Sequence, residues 1–224
     1  CPYAWDVPGG VQFHVRDLAL ILMKWGHHVS VIAPALDEER LPEWVTSAGR
    51  AVPVPYNGAV ARLSFGPIAA TRVRRWIDDG EFDLLHVHEP PTPSVSLLAC
   101  WLGDGPMVGT FHMAVERSRA MNAVSPILEP ALEKLSLRIA VSPAARDTAL
   151  AHHGRDVVIL PNGVDTEFFA DAQPRPEWQG KTLAFIGRFE EPRKGLGILI
   201  DAMPQILAAH PETRRTITRV SMRR

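Results

Sequence analysis

Short β-branched and aliphatic runs alternate with stretches whose apolar positions recur every three or four residues, which predicts βαβ units around a parallel sheet. Strands are expected over residues 28–33, 51–55, 84–88, 107–112, 138–142 and 157–160. Their near-continuous apolar content suits a sheet covered on both faces. Val11, Val15, Leu18 and Leu22 make one stripe of a helix, which Gly26 should terminate. Further helices are expected over 94–101, 121–137 and 143–152, and the stretch 67–77 is amphipathic. Two prolines and a glycine mark a linker at 173–180. Beyond it, a strand over 182–186, a glycine-bearing loop and a helix over 196–209 open a new βα unit. The pattern predicts an α/β domain over residues 1–172, the linker, and the incomplete start of a second domain over 181–224. One βα unit cannot close a core of its own.

Composition narrows the class without naming a chemistry. Hydrophobic residues make up 46% and charged residues 22% of the chain, enough apolar content for a packed core. The net charge of −1 gives no global field toward nucleic acid, so an anionic ligand needs a local site. Cys1 and Cys100 have neither metal-type nor disulfide-framework spacing, which points to the reducing cytoplasm. No apolar run approaches the roughly 18 residues of a membrane span, and no signal peptide is visible. Peripheral membrane contact needs only a basic and apolar face. The chain starts at Cys1 and ends in a basic run, 214–224, without apolar period. Both ends are read as those of a truncated product, with a frame shift near Arg215.

Several segments can carry chemistry. Pro8-Gly9-Gly10-Val11-Gln12 opens the first helix, where free amides and the helix dipole suit a phosphate; a plain tight turn is the alternative. Arg188 and Lys194 lie six residues apart in a strand-to-helix loop, where a planar fork and a point charge can converge on a diphosphate. The alternative there is a solvated surface loop. His112 ends a strand and should project toward the ligand crevice of an open α/β sheet. His86 and His88 alternate and so share one face, but with Glu89 they lack a third ligand, so no divalent metal site is expected. Arg72, Arg74 and Arg75 flank Ile68, Val73, Trp76 and Ile77, as on an interfacial helix over anionic lipid. An ordinary surface helix with a core stripe would show the same pattern. Asn162-Gly163 is a turn signal.

Taken in order, Pro8-Gly9-Gly10, His112, Pro161-Asn162-Gly163-Val164-Asp165 and Gly187-Arg188 with Lys194-Gly195 resemble the retaining family-4 glycosyltransferases of two-domain GT-B architecture. Asp6-Val7-Pro8-Gly9-Gly10-Val11-Gln12, Val54-Pro55-Tyr56-Asn57-Gly58, His88-Glu89-Pro90 and Glu191-Pro192-Arg193-Lys194-Gly195 are similar to those members that mannosylate phosphatidylinositol in actinobacteria. The resemblance covers roughly residues 1–211. It implies a Rossmann-like first domain and transfer of mannose from GDP-mannose to the inositol of phosphatidylinositol, with retention, at the inner face of the plasma membrane. It also implies roles. Gly10 would approach the donor phosphates, Arg188 and Lys194 would hold the diphosphate, and His112 would lie by the transferred sugar. Tyr3, Gln12, Tyr56, Asn57 and Arg62 would surround the inositol phosphate, and the Arg72–Arg75 helix would meet the membrane.

Some departures accompany the match. Met113 replaces a small hydroxyl residue, and Thr71 removes a cation. The family's Glu-x7-Glu segment has no counterpart, and neither does a strand before Cys1. The fragment is therefore expected to be inactive. Three other readings are a related transferase with another donor or acceptor, a non-catalytic lipid-binding fragment, and a nicotinamide-dependent oxidoreductase. The last would need the full G-x-G-x-x-G pattern, which Pro8-Gly9-Gly10 lacks.

Overall fold

The computed structural model describes residues 1–56, 59–114, 126, 128–171, 173, 176, 182–187, 189 and 192–219; for 56, 59, 193 and 214–219 the description is of the backbone alone. Two compact units make up the chain: Cys1–Val54 with Ala61–Val164, and Pro55–Val60 with Asp165–Arg224.

In the first unit, helix α1 (Gly10–Lys24) carries the expected stripe. It closes as foreseen at Gly26, whose φ of 92° is left-handed. The amide of Gly26 bonds Met23 and that of His27 bonds Leu22, a Schellman-type end that needs a residue without Cβ penalty. Strand β1 (Val31–Ala35) is buried along its whole length and pairs in parallel with β2 (Val45–Arg50). The strand expected over 28–33 thus starts later, because pairing with β2 begins at Val31. Strand β2 was not foreseen, since polar Thr46, Ser47 and Gly49 interrupt its apolar run. Strands β3 (Val52–Tyr56) and β4 (Ala59–Leu63) pair with each other.

Helix α2 (Pro67–Gly80) leads to β5 (Leu85–His88), α3 (Val95–Leu102) and β6 (Met107–Phe111). Residues 128–133 are helical (α4), followed by β7 (Leu137–Ala140), α5 (Pro143–His153) and β8 (Val158–Ile159). Strands β5-β6-β7-β8 form one parallel sheet in sequence order. The helix expected over 121–137 is too long at its end. The amide of Ser136 already bonds Met107 of the sheet, so Leu137 begins a strand; residues 121–125 lie outside the described set. Helix α5 starts at Ser142, whose Oγ accepts from the Ala145 amide at 3.2 Å, with Pro143 at its first position.

Among the described residues, two apolar clusters hold this unit. The larger joins β5–β7 with α2, α3 and α5, through residues such as Val73, Leu98, Met107 and Ala145. The smaller packs Val15 and Ala19 of α1 on Val31, Ala33 and Val45, with Trp5. Between them lies a cavity of about 420 Å³, lined by Val15, Ala19, Val31, Ile32, Leu85 and Val95 among others. It touches none of Tyr3, Gln12, Arg62 or His112.

The second unit contains α6 (Thr166–Ala170), β9 (Thr182–Gly187), α7 (Leu196–Ala209) and β10 (Arg214–Arg219). The basic run at the end, which has no apolar period, includes a strand. β10 pairs in parallel with β9 from Arg214↔Thr182 to Arg219↔Gly187, because ladder bonds need backbone groups and no apolar period. Met203 is the one buried hydrophobic residue among the described residues here, while Ile186 and Ile198 are more than 70% exposed. That is the packing expected of a single βαβ unit without further layers among the described residues. Most of the expected linker lies outside the described residues.

Candidate functional site

The segment before α1 lies across the carboxyl end of β1, the edge where open parallel sheets bind ligands. Trp5 donates its amide to Pro34 at 2.9 Å. The Asp6 carboxylate accepts from the amides of Leu36 at 2.9 Å and Asp37 at 2.8 Å. The residue between these anchors and Tyr3 is held from both sides: the Ala4 amide donates to the carbonyl of Arg62 at 2.9 Å, and Gln12 Nε2 donates to the carbonyl of Ala4 at 3.1 Å. The Tyr3 hydroxyl reaches Met113 Sδ at 3.7 Å. Tyr3, Gln12, Arg62 and the His112–Met113 corner are therefore one contiguous set, drawn from four separate stretches of sequence.

Gln12 is buried, with 7% exposure, and its amide nitrogen is already committed to Ala4. Gly9 and Gly10 differ. A Cβ on Gly9 would come 2.3 Å from Gln12 Oε1, whereas one on Gly10 would meet nothing within 4 Å. The close packing therefore belongs to Gly9, and Gly10 faces open space at the helix start.

His112 follows β6 and sits in a stack of imidazoles. His86 and His88 share a face as foreseen, with ring centroids 4.3 Å apart. His88 Nδ1 is 3.0 Å from His112 Nε2, and His86 Nε2 is 2.7 Å from Thr110 Oγ1. His14 of α1 meets both His88 and His112 edge-on, at 5.5 and 5.2 Å between centroids. Desolvation holds these rings neutral. It lowers His14, takes His86 down to about 4 and His112 to about 3, and depresses His88 well below the ordinary histidine value.

Beneath the stack, Glu89 is 2% exposed and has a left-handed φ of 50°. Its Oε1 accepts from the amides of His112 and Met113, the latter at 2.6 Å. Its own amide donates to Thr110 at 2.8 Å. Burial pushes its carboxyl up to about 7, against the pull of those two amides. Glu89 thereby ties the end of β5 to the turn presenting His112.

The basic helix α2 carries a core stripe, as the surface-helix alternative expected. Val73 is fully buried, Trp76 and Ile77 pack on the core, and Trp76 Nε1 donates to Ser30 at 2.8 Å. Arg72 pairs with Glu38 at 3.1 Å and Arg75 with Asp79 at 3.2 Å. Ile68 is 73% exposed and Arg74 is exposed. In the second unit Lys194 ends a 3₁₀ turn, Pro192–Lys194, before α7 and is exposed. Arg188 and Asn57 lie outside the described residues, and of Tyr56 only the backbone is described.

His14, Thr110 and the bracing role of Glu89 were not foreseen. His14 could have been, since it falls on the same helical face as Val11, Val15 and Leu18. No spacing rule links it to His88, because the two meet only through packing of α1 against the sheet.

Parallel strands alternating with helices, as β5 to β8 do here, are the α/β architecture of GT-B glycosyltransferases. The chain spans the same fold as a solved sucrose-phosphate synthase from Thermosynechococcus elongatus, with a TM-score of 0.55 at 17% identity over 97% of this chain and 58% of that one. The chain belongs to glycosyltransferase family 4, whose model matches residues 8–168. Similar curated proteins are the phosphatidyl-myo-inositol mannosyltransferases of Mycolicibacterium smegmatis, 49% identical over 95% of this chain and 55% of that protein, and of Mycobacterium tuberculosis, 48% identical over 97% and 58%. The Propionibacterium freudenreichii protein of the same name is 39% identical over 95% and 58%. The chain thus spans little more than half the length of these relatives. Among the described residues no helix is long and apolar enough to cross a membrane.

Proposed function

We propose that this chain is the acceptor-side domain, with the opening of the donor-side domain, of a retaining glycosyltransferase that moves mannose from GDP-mannose to the inositol of phosphatidylinositol. What carries the reading is the contiguity of Tyr3, Gln12, Arg62 and His112 at the carboxyl edge of the sheet, in a chain whose similar relatives bear that name.

In this reading the residues divide the work. The start of α1 at Gly10 offers amides and a positive dipole end to the donor phosphates. Arg188 and Lys194 meet the charge growing on the departing diphosphate. His112, neutral by burial, hydrogen-bonds the transferred sugar or the acceptor hydroxyl. Tyr3, Gln12, Tyr56, Asn57 and Arg62 surround the inositol phosphate, and Arg72, Arg74 and Arg75 face anionic lipid at the inner face of the plasma membrane. Retention follows from attack on the face the diphosphate leaves, through an oxocarbenium-like state. A double displacement would need a carboxylate nucleophile at the sugar, and the carboxylate nearest His112, that of Glu89, is engaged by backbone amides. Placement and electrostatics then supply most of the rate. The 224-residue chain alone has negligible turnover.

The test is transfer of radiolabel by the full-length protein from a panel of sugar nucleotides to phosphatidylinositol and other lipids. Preference for GDP-mannose and phosphatidylinositol, lost when Arg188 and Lys194 are both changed to alanine, is the expected result. Preference for another pair, or undiminished nucleotide-sugar binding in that double variant, refutes the reading.

A further inference from the structure

The sequence alone offered His86, His88 and Glu89 without a third ligand. The fold supplies a different trio. One ring nitrogen from each of His14, His88 and His112 lies within 4.8 Å of the other two. His88 Nδ1 and His112 Nε2, at 3.0 Å, already stand close to the edge of a tetrahedron with zinc–nitrogen bonds, about 3.3 Å. His14 has only to approach from α1.

The surroundings fit a ligand set. His88 is 3% exposed and its carbonyl is fixed by Ser96 Oγ at 2.6 Å. The backbone of His112 is pinned by Glu89. The backbones of two of the three are therefore held, while the facing ring nitrogens have only each other as described partners. The third sits on a regular helix. Three imidazoles with no oxygen donor among them suit zinc or a neighbouring divalent transition metal rather than magnesium or calcium.

We propose that His14, His88 and His112 form a binding site for a zinc-type divalent ion, with a fourth position left to water. The inference goes beyond the transferase reading and does not depend on it. A metal there would occupy the ring nitrogen that His112 would otherwise offer to a sugar, so zinc would act on the transferase as an inhibitor at this edge. The same trio would bind zinc if the protein transferred nothing.

The test uses the 224-residue chain and metal salts alone. Zinc titrated by calorimetry, against a chromophoric chelator, should bind at one ion per chain. Cobalt should give visible d–d absorption of a nitrogen-rich, low-coordinate site. His14→Ala and His88→Ala should each weaken zinc by at least the roughly tenfold that outer-shell partners alone can carry. Near-ultraviolet circular dichroism shows whether each variant folds, and His14→Gln, on a half-buried helix position, serves where an alanine variant does not. A change of the exposed His27 and His28 to alanine should leave the affinity intact. Zinc affinity unaltered in folded His14 and His88 variants, or lost in the His27/His28 variant, overturns the proposal. So does absence of one-to-one binding in the unaltered chain.

Discussion

The carboxylate of Glu89 accepts hydrogen bonds from the backbone amides of His112 and of Met113, so the residue ending one strand holds the histidine ending the next. Glu89→Ala would leave two amide donors without their acceptor, each costing about 1–3 kcal/mol where buried. Urea unfolding should show a loss of about 2 kcal/mol or more, with Glu89→Gln losing less because its amide oxygen still accepts.

The same carboxylate makes stability depend on pH. Burial raises it from 4.5 to about 7 in the folded protein, so the folded state binds the proton more tightly than the unfolded chain. Its contribution is fully present below pH 4.5 and declines as pH rises through 7. The loss is on the order of 3 kcal/mol. Glu89→Gln removes this term, and the variant should gain on the unaltered protein between pH 5 and 8 in a series of urea midpoints. A constant difference across that range would contradict the buried ionisation.

Histidines act in the opposite sense. Desolvation lowers both His86 and His153 from 6.5 to about 4. The unfolded chain therefore binds more protons between pH 4 and 6.5, and stability falls as pH drops through that window. Each such group adds a slope of at most about 1.4 kcal/mol per pH unit, beside those of the other buried histidines. His86→Gln and His153→Gln should each flatten the total by up to about that amount, read from unfolding free energies at successive pH values.

Gly9 and Gly10 should respond differently to one methyl group. Gly9→Ala would place a Cβ on the Gln12 amide and break its bond to Ala4, costing about 1 kcal/mol. Gly10→Ala meets open space and improves the helix, so thermal unfolding should be unchanged or raised by up to about 1 kcal/mol. If the donor phosphates come to the backbone at Gly10, the full-length Gly10→Ala protein should be as stable yet bind GDP-mannose more weakly.

On α2, Trp76 and Ile68 separate packing from lipid contact. Trp76→Ala removes a ring packed on the core and should cost about 3 kcal/mol. Ile68→Asp, at a 73% exposed position, should alter stability by less than about 0.5 kcal/mol while reducing flotation with phosphatidylinositol vesicles. Equal flotation would remove this helix as the membrane contact. The Arg72–Glu38 pair, exposed on both sides, should matter little to stability.

Local chemistry by itself determined much of this protein. The stripe on α1 and its stop at Gly26, the apolar runs of β5 and β6, the Ser142–Pro143 start of α5 and the shared face of His86 and His88 all follow from period and stereochemistry within a few residues. Other features were decided only in three dimensions. Leu137 could have continued a helix until the Ser136 amide found Met107, and β10 exists because β9 offers a ladder to a run with no apolar period. The inward turn of Trp76, the commitment of Gln12 to Ala4, the Glu89 brace and the meeting of His14 with His88 and His112 join residues far apart in the chain. Such pairings depend on which faces pack together when the sheet forms, and a side chain's partner across 74 positions leaves no trace in the spacing of its neighbours.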